Sequence, residues 1–163
     1  MKQSSTGTAQ ESLMKEAISL SLKNIEEDLG GPFAALIVKN GDIISRGTNL
    51  VTSRHDPTAH AEIVAIRAAC NAMHSFKLDG CEIYTTCEPC PMCLAAIYWA
   101  RLDRIYYANS RADAAKIGFD DELIYQEIPL PISQRKIPAL RTLEEQALAV
   151  FKTWERKENK TRY

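Results

Sequence analysis

An α/β fold, three layers with helices on both faces of a central mixed five-stranded sheet, is the architecture this sequence predicts. Three observations predict it. Short apolar runs of strand length alternate with segments whose apolar residues recur at helical spacing. An Asn40-Gly41 dipeptide sits between the first two such runs and marks a hairpin, whereas the later strands are separated by helices, so the sheet is mixed. Finally, 163 residues supply one substantial core and are too few for two comfortable ones, so residues 1–163 read as a single domain.

The elements follow in order. Leu13, Ala17, Ile18, Ser21, Leu22 and Ile25 give residues 9–28 one apolar helical face, ended by Gly30-Gly31. Phe33 to Val38 is a strand, Ile43-Ile44 resumes one after the turn, and 33–48 reads as the hairpin, with Asn49 where its second strand ends. Ile63, Ile66, Ala69 and Cys70 predict a helix between Pro57 and Met73 with one buried face. Cys81 to Thr86 is a strand running into a cysteine-rich turn. Cys90 to Ala100 is apolar nearly all round, which predicts a buried helix and puts Trp99 in the core. Arg104 to Ala108 is another strand and Arg111 to Lys116 a short helix. Gly118 to Pro131 has no clear period and reads as a loop, the kind that is commonly functional or mobile. Ile137 to Thr142 is either the last strand or an extended arm, and 143–156 is a final helix.

Composition narrows the function. A net charge of −1 does not indicate a general electrostatic grip on nucleic acid. Lys152 to Arg162 is more basic than the rest, and its default reading is a solvated helix face. The polar opening, Met1 to Thr8, lacks the apolar centre of a signal peptide, and no stretch is long enough to span a membrane. Five cysteines are an odd number and two stand in a CxxC, which fits thiols kept reduced in cytoplasm better than a secreted disulfide framework.

Two stretches carry the chemistry: Thr58-Ala-His-Ala-Glu62 and Cys87-Glu-Pro-Cys-Pro-Met-Cys93. His60, Cys90 and Cys93 supply three zinc ligands and leave the fourth tetrahedral position for water, the catalytic rather than the structural arrangement. Glu62, two residues past His60, points another way around its helix and is the natural proton carrier for that water. Pro57, Pro89 and Pro91 mark both halves as helix N-termini, whose partial positive charge lowers thiol pKa values. H-x-E with P-C-x-x-C is the signature of zinc-dependent nucleobase deaminases. Two rival readings of the cysteines are weaker. C-x2-C-x2-C echoes an iron–sulfur run, but no fourth cysteine follows. Cys87 as a fourth ligand would close the zinc site and abolish catalysis.

With these residues the chain resembles the cytidine deaminase-like superfamily, and within it most closely the small bacterial guanine deaminases. The resemblance spans nearly the whole length and includes Gly30-Gly-Pro-Phe33, Asn49, Asp56 to Glu62, Cys87 to Cys93, Ala96 to Arg101, Gly118-Phe-Asp-Asp121 and a terminal Tyr163. The H-x-E and PCxxC halves belong to the whole superfamily, whereas Gly-Phe-Asp-Asp and the terminal tyrosine are the narrower markers. The resemblance implies one Zn2+ per subunit and hydrolytic attack on C2 of guanine to give xanthine and ammonia. Glu62 would carry the proton to the ring nitrogen beside C2, and Asp121 would protonate the departing amino group. Asn49 would hydrogen-bond the purine's polar edge, Phe33 would stack on the ring, and the Ala61 N–H would donate to the base. It also implies a homodimer in which a segment of about 119–163 crosses to the neighbour and lays Tyr163 over the site.

Other functions compete. A guanosine deaminase shares the zinc site but must admit ribose, which a chain end folded over the site would exclude. A tRNA adenosine deaminase needs a basic surface tracking phosphates, against which the near-neutral charge argues. A non-catalytic subunit binding zinc or a purine would have no use for Glu62.

Overall fold

β1 (Ala34–Lys39) and β2 (Asp42–Thr48) form the expected antiparallel hairpin, with Lys39 opposite Asp42 across the Asn40-Gly41 turn. The turn positions have positive φ, which this dipeptide tolerates. A register shift between Ile37 and Val38 bends the pair. β1 then pairs antiparallel with β3 (Cys81–Cys87), and β3 pairs parallel with β4 (Arg104–Asn109), giving the order β2-β1-β3-β4. The sheet is mixed, as expected. Among the described residues it has four strands, not five.

This computed structural model describes residues 8–162 and divides into two compact units, Met1–Asp121 and Glu122–Tyr163. The first unit holds the sheet. α1 (Ala9–Glu26), opened by a Thr8/Glu11 capping box, covers one face, where Ala17 packs with Leu36, Val38 and Tyr84. α3 (Ala61–Ala72) and α4 (Pro91–Trp99) cover the other, where Ala65, Ala69 and Ile97 meet Ala35, Ile37 and Ile83. Alternation along β1 sends neighbouring side chains to opposite layers, so the central strand is buried on both faces. A short α2 (Val51–Arg54) follows β2, and α5 (Arg111–Lys116) follows β4.

α3 lies unusually close to the sheet. A Cβ on Gly47 would stand 2.3 Å from the Ala61 carbonyl oxygen, so only glycine lets the helix start rest on β2. Ser45 Oγ donates to the Ala65 carbonyl at 2.7 Å and fixes the same contact.

Three expectations in the first unit need correction. The buried side of α1 is Ala17 and Asn24, flanked by Leu13, Met14 and Leu20, whereas Ile18, Leu22 and Ile25 are exposed. The buried stripe therefore runs about one residue out of phase with the expected apolar face. α4 is not buried all round either: Cys93 and Ile97 face inward, but Tyr98 is 76% and Trp99 67% exposed. Trp99 is not a core residue. In this helix an all-round apolar sequence hides which side meets the sheet.

In the second unit, residues expected as loop contain α6 (Glu122–Glu127) and a short 3-10 turn at Ile132–Gln134. Residues 137–142 form no strand, and Ile137 and Leu140 are 80% and 90% exposed. The missing fifth strand is this segment. Residues 138–142 carry no regular secondary structure. α7 (Glu144–Arg156) is the expected last helix, with Leu148, Phe151 and Trp154 exposed.

Candidate active site

Two helix starts converge on one point. His60 immediately precedes α3 in extended backbone, with φ −65° and ψ 155°, and its carbonyl accepts the Val64 N–H at 3.0 Å. Cys90 stands in the same relation to α4, with φ −63° and ψ 167°, its carbonyl accepting the Leu94 N–H at 2.8 Å. Pro91 is pre-shaped for the first helical position, where its missing N–H costs nothing. Cys93, one turn into α4, completes the group.

The Sγ atoms of Cys90 and Cys93 each lie 3.6 Å from His60 Nδ1. Ligand atoms about 2.3 Å (sulfur) and 2.0–2.1 Å (nitrogen) from a tetrahedral zinc stand roughly 3.6 Å apart. The donor set therefore fits Zn2+ in size and softness, and His60, Cys90 and Cys93 form a group that could hold the metal. Cys87 is not part of it. Its thiol faces the Ser110 carbonyl oxygen at 3.6 Å, and burial pushes its pKa up to about 11. The closed four-ligand site has no support in this geometry.

Cys90 and Cys93 shift each other's thiols in opposite directions. A hydrogen bond from Cys93, aided by His60, pulls the Cys90 thiol down to about 4 against its burial. Cys93, holding the proton for its neighbour and buried, is pushed up strongly. His60 is raised, first by its hydrogen bond with Cys90. A divalent cation bound there would take the place of a thiol proton and relieve that opposition.

Glu62 is buried beside these ligands. Burial raises its pKa, while its own backbone N–H and a hydrogen bond from Cys93 oppose that rise. A carboxyl held towards neutrality is suited to accepting and returning a proton near neutral pH. Asp121 closes the first unit and pairs with Arg111 Nε at 3.4 Å. Burial raises it and the Arg111 cation opposes that shift; Cys90 is close enough to raise it further. Both carboxyls thus feel the metal ligands.

Phe33 meets Phe119 edge-on, with ring centroids 4.8 Å apart and planes at 89°. Asn49, buried at the end of β2, accepts through Oδ1 from the Gly31 and Val51 N–H groups, both at 3.3 Å. Ala61 begins α3, so its N–H is one of the first-turn donors that no helical carbonyl takes. Tyr163 lies outside the described residues.

Sequence reasoning missed Arg111, Phe119 and Asn24. Nothing marked Arg111 beyond its place at the start of a short helix, and Phe119 was one position of the Gly118-Phe-Asp-Asp121 motif. Asn24 did carry a signal: it lies seven residues after Ala17, on the buried side of α1.

Residues 8–109 match the family described as cytidine and deoxycytidylate deaminase zinc-binding region, and the chain belongs to that family. It is 48% identical over 153 residues to a guanine deaminase of Bacillus subtilis strain 168, covering 94% of this chain and 98% of the relative. The X-ray structure of guanine deaminase from Bacillus subtilis superposes with a TM-score of 0.91, at the same identity and coverage. A tRNA-specific adenosine deaminase of the same organism is 40% identical over 100 residues, 61% of this chain and 62% of the relative. A structure of guanine deaminase from Nitrosomonas europaea has a TM-score of 0.65 and 36% identity, covering 68% of this chain and 64% of its own.

Proposed function

We propose that the protein is a zinc-dependent guanine deaminase, converting guanine and water to xanthine and ammonia in purine catabolism or salvage. The observation that carries the chemistry is a three-ligand cluster of zinc dimensions beside a buried carboxyl, Glu62. The choice of base rests on a likeness to guanine deaminase so nearly full-length that it must include much of 122–163.

His60, Cys90 and Cys93 would hold the Zn2+, which when bound would make water nucleophilic near neutral pH. Glu62 removes a proton from the attacking water and returns it to the ring nitrogen next to C2. Asp121 gives a proton to the amino group, because nitrogen leaves C2 as ammonia and not as an amide ion, and the proton lost by the C2 hydroxyl as the carbonyl forms restores the acid. Asn49 meets the polar edge of the purine, Phe33 lies against its ring, and the Ala61 N–H donates to the base. Arg111 keeps Asp121 oriented and tempers the effect of its burial.

The protein works as a homodimer in which about 119–163 crosses to the neighbouring subunit and brings Tyr163 over that subunit's site. Support comes from apolar side chains left outside their own chain's core: Tyr98 and Trp99 on α4, Ile137 and Leu140 on the arm, Phe151 on α7. Unpaired cysteines fit a cytoplasmic location. No helix among the described residues is long and apolar enough to cross a membrane. The reaction is tested by following xanthine formation from guanine with zinc-loaded and chelator-stripped protein. Conversion that disappears on stripping and returns with Zn2+ is expected; conversion indifferent to zinc, or none with zinc present, contradicts the proposal.

A further inference from the structure

Asn24 is a buried amide in a helix whose neighbouring buried positions are apolar, with only 1% of its surface exposed. Burying an amide is costly unless its hydrogens are used. Both are. Asn24 Nδ2 donates to the Gly31 carbonyl and to the Asn49 carbonyl, each at 3.0 Å. Two carbonyl acceptors on one atom leave no doubt about which end of the amide faces them, since a flipped Oδ1 would meet two like dipoles. The other end, Oδ1, is buried with no partner among the described residues. The side chain is therefore oriented by its two donations alone.

Those donations join the two backbone segments that carry the proposed base contacts. Gly31 is two residues before Phe33, whose N–H donates back to the Gly31 carbonyl at 2.8 Å. The Phe33 carbonyl accepts the Asn49 N–H at 3.0 Å, and the Gly31 N–H donates to Asn49 Oδ1 at 3.3 Å. Between them Gly30 lies flush on Asn49: a Cβ there would stand 2.2 Å from the Asn49 carbonyl oxygen. From outside both segments, Asn24 grips the two of them at once. The Asn49 amide is fixed in turn. Its Oδ1 takes two N–H groups, and its Nδ2 makes no hydrogen bond among the described residues.

We propose that Asn24 is a positioning residue for base recognition: through Gly31 and Asn49 it fixes the Asn49 amide so that Nδ2 is offered to the substrate as a hydrogen-bond donor. The inference rests on the reading that Asn49 binds the base. The base atom it meets must then be an acceptor, such as a ring nitrogen or the carbonyl oxygen of guanine.

A double-mutant cycle on the full-length, zinc-loaded enzyme tests this, using Asn24→Ala, Asn49→Ala and the pair, with zinc content and Tm measured alongside. Each single variant is expected to raise KM for guanine about tenfold while kcat moves much less, the signature of lost binding common to ground and transition states. The pair is expected to have the KM of Asn49→Ala alone, because Asn24 acts through Asn49. Asn24→Ser keeps a single donor and is expected to fall between wild type and Asn24→Ala; it serves alone if the alanine variant does not fold. A lowered Tm with wild-type KM in the Asn24 variants, or penalties that multiply in the pair, overturns the positioning role. Wild-type KM in Asn49→Ala overturns the reading of Asn49 itself and, with it, this inference.

Discussion

Glu62 and Asp121 are both carboxyls raised by burial, and what separates them is their company. Glu62 sits among the metal ligands and is answered by a thiol and its own N–H; Asp121 is answered by the Arg111 cation. A base for water and an acid for a leaving amine are roles that such a difference permits. Glu62→Gln keeps the volume and removes the proton carrier, so zinc content is expected to stay near one per chain while kcat falls by at least ~100-fold. Near-wild-type turnover would remove Glu62 from the reaction. For Arg111→Met the sign can be worked out. The cation lowers the Asp121 pKa, so without it Asp121 stays protonated to higher pH. If Asp121 gives a proton to the leaving group, the alkaline limb of the rate–pH profile moves to higher pH; an unmoved or acid-shifted limb contradicts that role.

At the scale of elements, the site depends on how closely α3 lies on β2. Gly47→Ala would force its Cβ against the Ala61 carbonyl and lift the helix start that His60 precedes. We expect a loss of about 1–3 kcal/mol in stability together with weaker zinc retention. A variant with wild-type Tm and zinc affinity would show that the contact does not set the ligand. The clustering of His60, Cys90 and Cys93 was readable in the sequence because a metal would demand fixed residue types, and prolines flag the helix starts that present them. The close approach was not readable: Gly47 looks like any glycine in a strand until the helix above it is known. Nor was the facing of α4, since Tyr98 and Trp99 are as apolar as the residues that do turn inward. The 118–131 stretch hid α6 for a related reason, because a six-residue helix barely exceeds one turn and leaves no period to detect.

For the whole molecule, the first unit contains the sheet and the candidate metal-binding cluster, while the second carries exposed apolar side chains. Light scattering on eluting protein is expected to give twice the 18.2 kDa chain mass, and, the exposed side chains being apolar, to give it at high salt as well. A monomer at micromolar concentration with full activity contradicts the exchanged arrangement. The hairpin, the mixed order and the helical layers followed from pattern alone. The missing strand at 137–142 did not, because an apolar segment of strand length pairs only if an edge is available, and no local feature reports that. The central claim is the substrate, and it is tested most directly by ammonia release from guanine, guanosine, adenine, cytosine and cytidine offered in parallel to the zinc-loaded protein. Turnover of guanine, with little or none from the others, is the predicted result. Silence on guanine with release from another compound would leave the metal centre standing and contradict the assignment of guanine.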